Sequence, residues 1–150
     1  MLRLSRLTDY AVAVLVRLSQ ADGVATSPCI AGAIGIPEPT VAKVLKSLTQ
    51  TGLVISQRGA HGGYRLARPL SAIPVSDVIV AIDGPIALTA CVEGGSGGCE
   101  SHSLCPMAGR WTPVNEAIRD ALRSISLADM AGDCQPISLR LPAALAAFSD

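Results

Sequence analysis

The first strong pattern along the chain is a stripe of apolar residues at helical spacing near the N-terminus. The stripe recurs every three or four positions and consists of Leu7, Ala11, Val14, Leu15 and Leu18. This spacing predicts an amphipathic helix with one buried face. Ser5 or Thr8 is placed to cap its N-terminus, and Asp22-Gly23 is placed to end it.

A helix-turn-helix pattern follows the first helix. Pro28, just inside a first turn, predicts a short helix that stops at Gly35. The next helix opens at residues 36–40 and ends before Gly52. Its apolar stripe consists of Val41, Val44, Leu45 and Leu48. Two helices joined by a short turn at residues 28–49 are typical of a helix-turn-helix.

Glycine-rich residues 58–63 then separate two short runs that are typical of strands. The runs are residues 53–57 and 64–67, and together they predict a β-hairpin. Three helices followed by such a hairpin predict a winged helix. In that fold the third helix enters the major groove, and the hairpin tip reaches the minor groove or the backbone of DNA.

The second half of the chain holds a glycine-rich segment between two helices. A connecting helix is expected at 75–82, and the glycines of residues 91–109 argue against regular structure there. Thr112 as N-cap and Pro113 as first helical residue then open a strongly amphipathic helix. Its stripe consists of Val114, Ala117, Ile118, Ala121, Leu122 and Ile125. Such a helix often supplies a dimer interface, and packing onto its own domain is the alternative.

These patterns predict a mainly α-helical chain with a small β-hairpin wing. A winged helix-turn-helix domain is expected at residues 1–68 and a connecting helix at 69–90. A cysteine-rich loop follows at 91–109, a long C-terminal dimerisation helix at 110–130, and a tail at 131–150 with a short apolar helix. A chain of 150 residues is long enough to bury one core.

The charge differs between the two halves although the whole chain is neutral. Residues 1–70 carry eight basic and three acidic side chains, a net charge of +5, whereas residues 71–150 carry four basic and nine acidic ones, a net charge of −5. A basic first half favours contact with a polyanion. Four aromatic residues are too few for a base-stacking surface, and two histidines leave no catalytic set to assign.

The N-terminus and the apolar runs bear on where the protein works. No apolar run reaches the ~18 residues that a membrane span needs. Asp9 comes too early for the apolar core of a secretory signal. We therefore expect a cytoplasmic protein with no membrane contact.

The candidates for DNA contact are the polar residues of the third helix and of the hairpin. Thr40 and Lys43 share a face opposite the apolar stripe, and Lys46 extends it. Lys43 suits a guanine edge or a phosphate, although a merely solvated face is the alternative. Arg58 and Arg65 flank the turn, and an arginine there suits a narrow minor groove. The other candidates of the turn, open to phosphates, are Gly59, His61, Gly62 and Gly63.

Three of the five cysteines, Cys91, Cys99 and Cys105, lie close together in the glycine-rich segment. Their C-x7-C-x5-C spacing is not the C-x2-C of structural zinc sites. Three thiolates in one segment favour an iron–sulfur cluster whose fourth position takes a weaker ligand. Zinc with His102 as fourth ligand and a redox disulfide are the alternatives. Cys29 is expected to be a buried small residue of the second helix.

Together these features resemble the IscR/NsrR-type family of winged-helix iron–sulfur regulators. The matching stretches are LRLSRLTDYAVAVLVRLS at 2–19, IPEPTVAKVLKSLTQTGLVISQRGAHGGYRLA at 36–67, and the cysteine segment up to Trp111. Within the family the sequence is most similar to regulators of the SUF iron–sulfur assembly operon. The resemblance implies a homodimer with crossing long helices that binds a double-stranded DNA operator. It also implies a 2Fe–2S cluster, with 4Fe–4S as the alternative.

The fourth cluster ligand is where the sequence departs from the family pattern. The first interval between cysteines is two residues longer than is common, and Ala108 stands where some members place a histidine. Other members use an acidic residue of the partner subunit at the start of the first helix, and Asp9 matches that position. Ordinary stabilisation of the helix dipole is the alternative role for Asp9. His102 and Glu93 are the other candidate ligands.

The resemblance implies a cluster-sensing transcriptional regulator and not an enzyme. It is expected to act as a repressor of iron–sulfur assembly or stress genes. The alternatives are a nitric-oxide or redox sensor of the same fold, and a winged-helix protein with a structural zinc. Trp111 is expected to anchor the long helix in the core.

Overall fold

Six α-helices and a two-stranded hairpin make up the fold in a computed structural model that describes residues 3–95 and 104–132. The helices are α1 (Arg6–Ser19), α2 (Ser27–Ile34), α3 (Glu38–Gln50), α4 (Val75–Asp83), α5 (Thr112–Arg123) and α6 (Leu127–Ala131). The strands are β1 (Val54–Gln57) and β2 (Gly63–Leu66), and a 3₁₀ turn covers Leu70–Ala72. The prediction of a mainly helical chain with a β-hairpin wing is confirmed.

α1 begins where a side chain replaces a missing backbone partner. The hydroxyl of Ser5 accepts a hydrogen bond of 3.2 Å from the backbone N–H of Thr8, which confirms Ser5 as the N-cap. The buried face of α1 includes Ala11, Val14, Leu15 and Leu18 from the predicted stripe. These four side chains form one side of the core.

α2 and α3 form the helix-turn-helix. Gly35 ends α2 with a φ of 68°, a left-handed conformation that favours glycine, and its N–H bonds to the carbonyl of Ala31 at 2.9 Å. α3 then buries the whole predicted stripe: Val41, Val44, Leu45 and Leu48. Because all four point inward, the opposite face of α3 is left to solvent.

The hairpin pairs β1 with β2 in antiparallel register, from Val54 opposite Leu66 to Gln57 opposite Gly63. Ala25, between α1 and α2, adds a third segment, because its N–H and carbonyl exchange hydrogen bonds of 2.9 and 2.8 Å with Tyr64. These bonds fix the hairpin against the helix-turn-helix.

The core is one continuous cluster that reaches beyond the winged helix. Its fully buried members include Leu15, Leu45 and Leu48 from the first helices, and also Ile73, Val78 and Leu127. α4 and the start of α6 therefore pack into the same interior as α1 and α3.

The prediction of one long helix over residues 110–130 is wrong. α5 ends at Arg123, and α6 begins only at Leu127. Between them the backbone turns to pair with the chain at the start of α4: the carbonyl of Ile125 accepts from Val75 N, and Leu127 N donates to the Ile73 carbonyl, both at 2.9 Å. Ser126 then starts α6 with a capping box to Asp129. Within the described residues, no helix is long and apolar enough to cross a membrane.

Candidate nucleic-acid interface and cysteine segment

The outer face of α3 carries the basic side chains that were predicted to contact DNA. Lys43 and Lys46 are exposed, whereas Thr40 is half-buried at the edge of this face. Gln50 is also exposed and lies seven residues after Lys43, two helical turns along the same face. Gln50 was not among the predicted contacts, although its spacing from Lys43 was the signal that could have identified it.

The tip of the hairpin is open to solvent. Arg58, Gly59 and His61 are exposed, and Arg65 is exposed on β2 opposite Ile55. Two glycines allow the tight tip: a Cβ on Gly62 would lie 2.4 Å from the Gln57 carbonyl oxygen, and one on Gly63 would lie 2.8 Å from that of Ala25. The glycines are therefore required by the fold of the hairpin before any role in DNA contact.

The charges of this surface are not neutralised within the described chain. Within residues 3–95 and 104–132 the salt bridges are Arg68–Asp77 at 2.6 Å and Arg123–Asp120 at 3.4 Å. Lys43, Lys46, Arg58 and Arg65 thus have no acidic partner in those ranges. Cations on α3 and on the hairpin tip that have no acidic partner in the described residues form a surface suited to phosphates.

The expectation for Cys29 is wrong. The residue lies in α2 as predicted, but its side chain is exposed, because the buried positions of this short helix are Ile30 and Ala31. A small apolar residue next to the buried positions does not itself have to face the core.

The cysteine segment is described at its two ends. Cys91 and Cys105 are free thiols and half-buried, and the Cys91 Sγ lies 3.1 Å from the Thr89 hydroxyl. Cys99 and His102 lie outside the described residues. Within residues 3–95 and 104–132, no three His, Cys, Asp or Glu side chains group as a metal site would require. The described part of one chain therefore does not bring Asp9, Cys91 and Cys105 together.

Asp9 and Glu93 are both exposed. Asp9 is one of the residues that line a cavity of about 330 Å³, together with apolar side chains such as Leu4 and Met130 and the basic side chains of Arg3 and Arg6. The carboxylate is therefore accessible from outside the chain.

Two polar side chains that were not predicted to have a role hold the residues leading into the cysteine segment. Asn115 of α5 is 2% exposed, donates to the Ile86 carbonyl at 3.1 Å and accepts from Leu88 N at 2.9 Å. Asp83, the last residue of α4, accepts from the Thr8 hydroxyl at 2.8 Å and from Ser5 N at 3.2 Å. The segment is thus fixed to α5 and to the start of α1.

The burial of Asn115 shows which side of α5 faces inward. The inner side runs through Asn115, Ile118 and Leu122, at spacings of three and four residues, whereas Val114 from the predicted stripe is exposed. The spacing of these three residues could have predicted the buried side of α5, but a stripe of apolar residues alone does not include Asn115.

Trp111 does not anchor α5 in the core of this chain. Its side chain is 39% exposed, and three other large apolar residues close to it in sequence, before and at the start of α5, are exposed as well. We name this surface the α5 apolar patch; it consists of Leu104, Met107, Trp111 and Val114.

Comparison with known proteins identifies the family. Residues 4–133 match the Rrf2 family, whose members are described as iron-dependent transcriptional regulators. The chain belongs to the Rrf2 family. In this member of the family the hairpin follows α3 directly, and the cysteine segment lies between α4 and α5.

Individual relatives agree with this assignment. The HTH-type transcriptional regulator IscR of Yersinia pseudotuberculosis is 34% identical over 131 residues, which cover 86% of this chain and 79% of the relative. IscR of T. potens superposes with a TM-score of 0.62 at 32% identity, covering 89% of each chain. CymR, described as the global cysteine regulator of B. subtilis, gives a TM-score of 0.67 at 27% identity, covering 87% of this chain and 97% of its own.

The family also establishes the general activity. The Rrf2 protein is a transcriptional regulator with a winged-helix fold, and its relatives are DNA-binding regulators, not enzymes. The predicted class of protein is therefore confirmed.

Proposed function

We propose that this Rrf2 regulator is a homodimer that binds a double-stranded DNA operator and represses iron–sulfur assembly or stress genes in response to a bound iron–sulfur cluster. The observation that carries the proposal is the pair of half-buried free thiols, Cys91 and Cys105, at the two ends of the cysteine segment. They belong to the same folded chain as the unpaired basic surface of α3 and the hairpin. One chain therefore combines metal-binding chemistry with a DNA-binding face.

DNA binding rests on the outer face of α3 and on the hairpin tip. Lys43 and Lys46 are directed at base edges or phosphates of the major groove, with Thr40 at the border of this face. Arg58 and Arg65 flank the tip and are suited to the adjacent minor groove or backbone. The backbone of the tip approaches phosphates at Gly59, Gly62 and Gly63, and the exposed imidazole of His61 donates to a phosphate.

Dimer formation rests on the α5 apolar patch. Leu104 is 90% exposed, and the other members of the patch, which follow it within ten residues of sequence, are 39–47% exposed. Four large apolar side chains in one short stretch form a surface of the kind that is normally covered. A second copy of the chain, seated there by two-fold symmetry, buries both patches and presents two α3 helices to successive major grooves.

The donor set of the cysteine segment fits an iron–sulfur cluster. Soft thiolates are the usual ligands of such clusters, and Cys91 and Cys105 are partly open, so that metal can reach their sulfur atoms. Cys99 supplies the third thiolate in this proposal. The fourth ligand is Asp9 of the partner subunit, a carboxylate that is accessible beside a cavity and weaker than a thiolate. His102 and Glu93 are the other candidates.

A bound cluster would supply a redox-active centre whose charge and ligation respond to oxidant or nitric oxide. We favour a 2Fe–2S over a 4Fe–4S cluster, because the sequence resembles regulators of the SUF operon. The chain's own part is to hold three thiolates and to present Asp9 across the dimer. Because Asp9 lies in the first turn of α1, the strength of this contact affects a helix that packs directly on α3. In this proposal, a change in the bond between Asp9 and the cluster alters the position of α1, and thereby the position of the DNA-binding surface on α3.

The experiment is purification of the full chain without oxygen, followed by its visible spectrum and its iron, sulfide and zinc content. We expect a coloured protein with iron and sulfide. Replacement of Cys91, Cys99 or Cys105 by Ala should remove both while the dimer stays folded. The matched control is Cys29→Ala, an exposed thiol on α2, which should leave the spectrum unchanged. A colourless protein that contains zinc would overturn the cluster proposal.

A second candidate function is regulation without a cluster. The B. subtilis relative is described as a cysteine regulator, and this chain superposes on it over 97% of that protein's length. In that case the three cysteines would hold a structural zinc or form a redox disulfide. The metal content of the anaerobic protein distinguishes these outcomes directly.

A further inference from the structure

Asn115 is a buried polar side chain that forms its hydrogen bonds with the backbone of one short segment, Ile86–Leu88. Its amide nitrogen donates to the Ile86 carbonyl at 3.1 Å, and its amide oxygen accepts from Leu88 N at 2.9 Å. Both partners are backbone groups more than 25 residues away in sequence, so neither bond stabilises α5 itself. A buried amide satisfied in this way specifies one arrangement of the two segments it joins.

The bonded segment is the base of the loop that carries Cys91. Leu88 precedes Cys91 by three residues, and Val92, the residue directly after Cys91, is buried. The loop folds tightly on itself: a Cβ on Gly94 would lie 2.6 Å from the Cβ of Pro85, and one on Gly95 would lie 2.7 Å from the Thr89 carbonyl oxygen. A shift of the base at Ile86–Leu88 therefore carries Cys91 with it.

The other end of the cysteine segment leads directly into α5. Cys105 precedes Asn115 by ten residues, through turns in which Ala108 N bonds to the Cys105 carbonyl and Arg110 N bonds to the Met107 carbonyl. Asn115 thus joins the helix that follows Cys105 to the loop that bears Cys91. It acts on both ends of the segment at once.

We infer that Asn115 is a positioning residue that sets the distance between Cys91 and Cys105, and thereby the geometry of their metal site. This inference rests on the proposed function for the identity of the metal, but not for the placement of the thiols. Asn115 touches neither cysteine and is not a ligand. Its effect passes through the backbone of Ile86 and Leu88.

The alternative is that Asn115 only fills space between α5 and the loop. Asn115→Leu separates the two roles, because it keeps a side chain of similar size and removes both hydrogen bonds. Glu116→Ala, at the exposed neighbouring position of α5, is the matched control for changes in helix propensity.

The test begins on the full chain after chelation of its metal, so that it does not depend on a cluster. Amide exchange at Leu88 should be roughly tenfold faster in Asn115→Leu, the factor expected for the removal of one hydrogen bond. The rate of Cys91 alkylation by iodoacetamide should rise several-fold, while Cys29 on α2 stays at the parent rate. Glu116→Ala should match the parent in both measurements. Melting temperatures show that the compared variants are folded.

The second stage measures iron retained after anaerobic reconstitution with iron and sulfide. Asn115→Leu should lose its iron several-fold faster in air than the parent and Glu116→Ala. Parent-like Leu88 exchange and Cys91 alkylation in Asn115→Leu would overturn the inference and leave a packing role. If the parent retains no iron, the proposed cluster is wrong, yet the exchange and alkylation results still decide the role of Asn115.

Discussion

The carboxylate of Asp83 joins two parts of the chain that lie far apart in sequence. It accepts hydrogen bonds from the Thr8 hydroxyl and from Ser5 N, 75 and 78 residues away. Burial raises the pKa of Asp83, but the hydrogen bonds from Ser5 and Thr8 outweigh burial and hold the pKa below its ordinary value of 3.8. The ionised form is therefore the one that the folded state stabilises.

This shift predicts a pH-dependent contribution to stability. A lowered pKa stabilises the fold above the ordinary value, and the contribution is lost as the pH falls below 3.8 and through the lower folded-state pKa. Asp83→Asn should be less stable than the parent at pH 7, and this deficit should shrink below about pH 4. Urea unfolding at several pH values measures it. Asp22→Asn is the control, since Asp22 accepts no hydrogen bond within the described residues. A deficit that does not change with pH would contradict the prediction.

A residue-scale prediction also follows for Gly32, which lies inside α2. A Cβ at this position meets nothing within 4 Å, and the residue is exposed. Gly32→Ala should therefore stabilise the protein by about 0.5–1 kcal/mol, since alanine loses less backbone entropy in a helix. Thermal unfolding measures the gain. Gly35→Ala is the contrasting variant, and it should destabilise because its φ of 68° disfavours a side chain.

α3 and the hairpin determine how DNA binding should respond to single substitutions. Lys43→Ala and Arg58→Ala should each weaken operator binding, and each should reduce the log–log salt slope by about 0.9 for every phosphate that the side chain neutralises in the parent. Fluorescence anisotropy at several salt concentrations measures both quantities. Arg123→Ala removes the same charge from the exposed end of α5 and should change neither. An Arg58 variant with the parent's affinity and slope would show that the hairpin tip does not touch DNA.

The tip of the hairpin gives a second test at this scale. Gly62→Ala would bring a Cβ to 2.4 Å from the Gln57 carbonyl oxygen, so the turn must change shape. We expect weaker operator binding with a small loss of stability, because residues 55–61 are exposed and contribute little to the core. Ala60→Gly, at an exposed neighbour in the same turn, is the control. Equal operator affinity in both variants and the parent would contradict the prediction.

At the scale of the whole molecule, the α5 apolar patch is the surface at which we propose that two copies of the chain meet. Trp111→Asp places a charge in the proposed dimer surface and should shift the protein toward monomer. Operator affinity should also fall strongly, because an operator with two half-sites requires two DNA-binding domains. Sedimentation velocity measures the shift. Val80→Asp changes another exposed apolar residue, on α4 and outside the patch, and should remain dimeric. A Trp111 variant that sediments like the parent would place the dimer surface elsewhere.

Much of the winged helix could be predicted because its signals are local. The stripe of α3, the N-cap Ser5 and the terminating Gly35 act within one or two helical turns of their own positions, so the sequence alone locates these elements. The candidate DNA residues followed, because a buried stripe determines the exposed face of the same helix. The three clustered cysteines likewise needed no structure to be noticed.

The rest depended on contacts between distant segments. Pairing of Ile125 and Leu127 with Val75 and Ile73 splits the predicted long helix, and no periodicity within residues 110–130 contains that information. The side chain of Asn115 faces inward because the backbone groups of Ile86 and Leu88 are there to bind it. The carboxylate of Asp83 accepts its hydrogen bonds because Ser5 and Thr8 lie beside it. The sequence by itself determined the elements of the winged helix, the basic face of α3 and the clustering of the thiols, since each arises from neighbours along the chain. Only the tertiary structure decided how the thiol-bearing loop is held between α1 and α5, because hydrogen bonds across tens of residues form only once the core has brought their partners together.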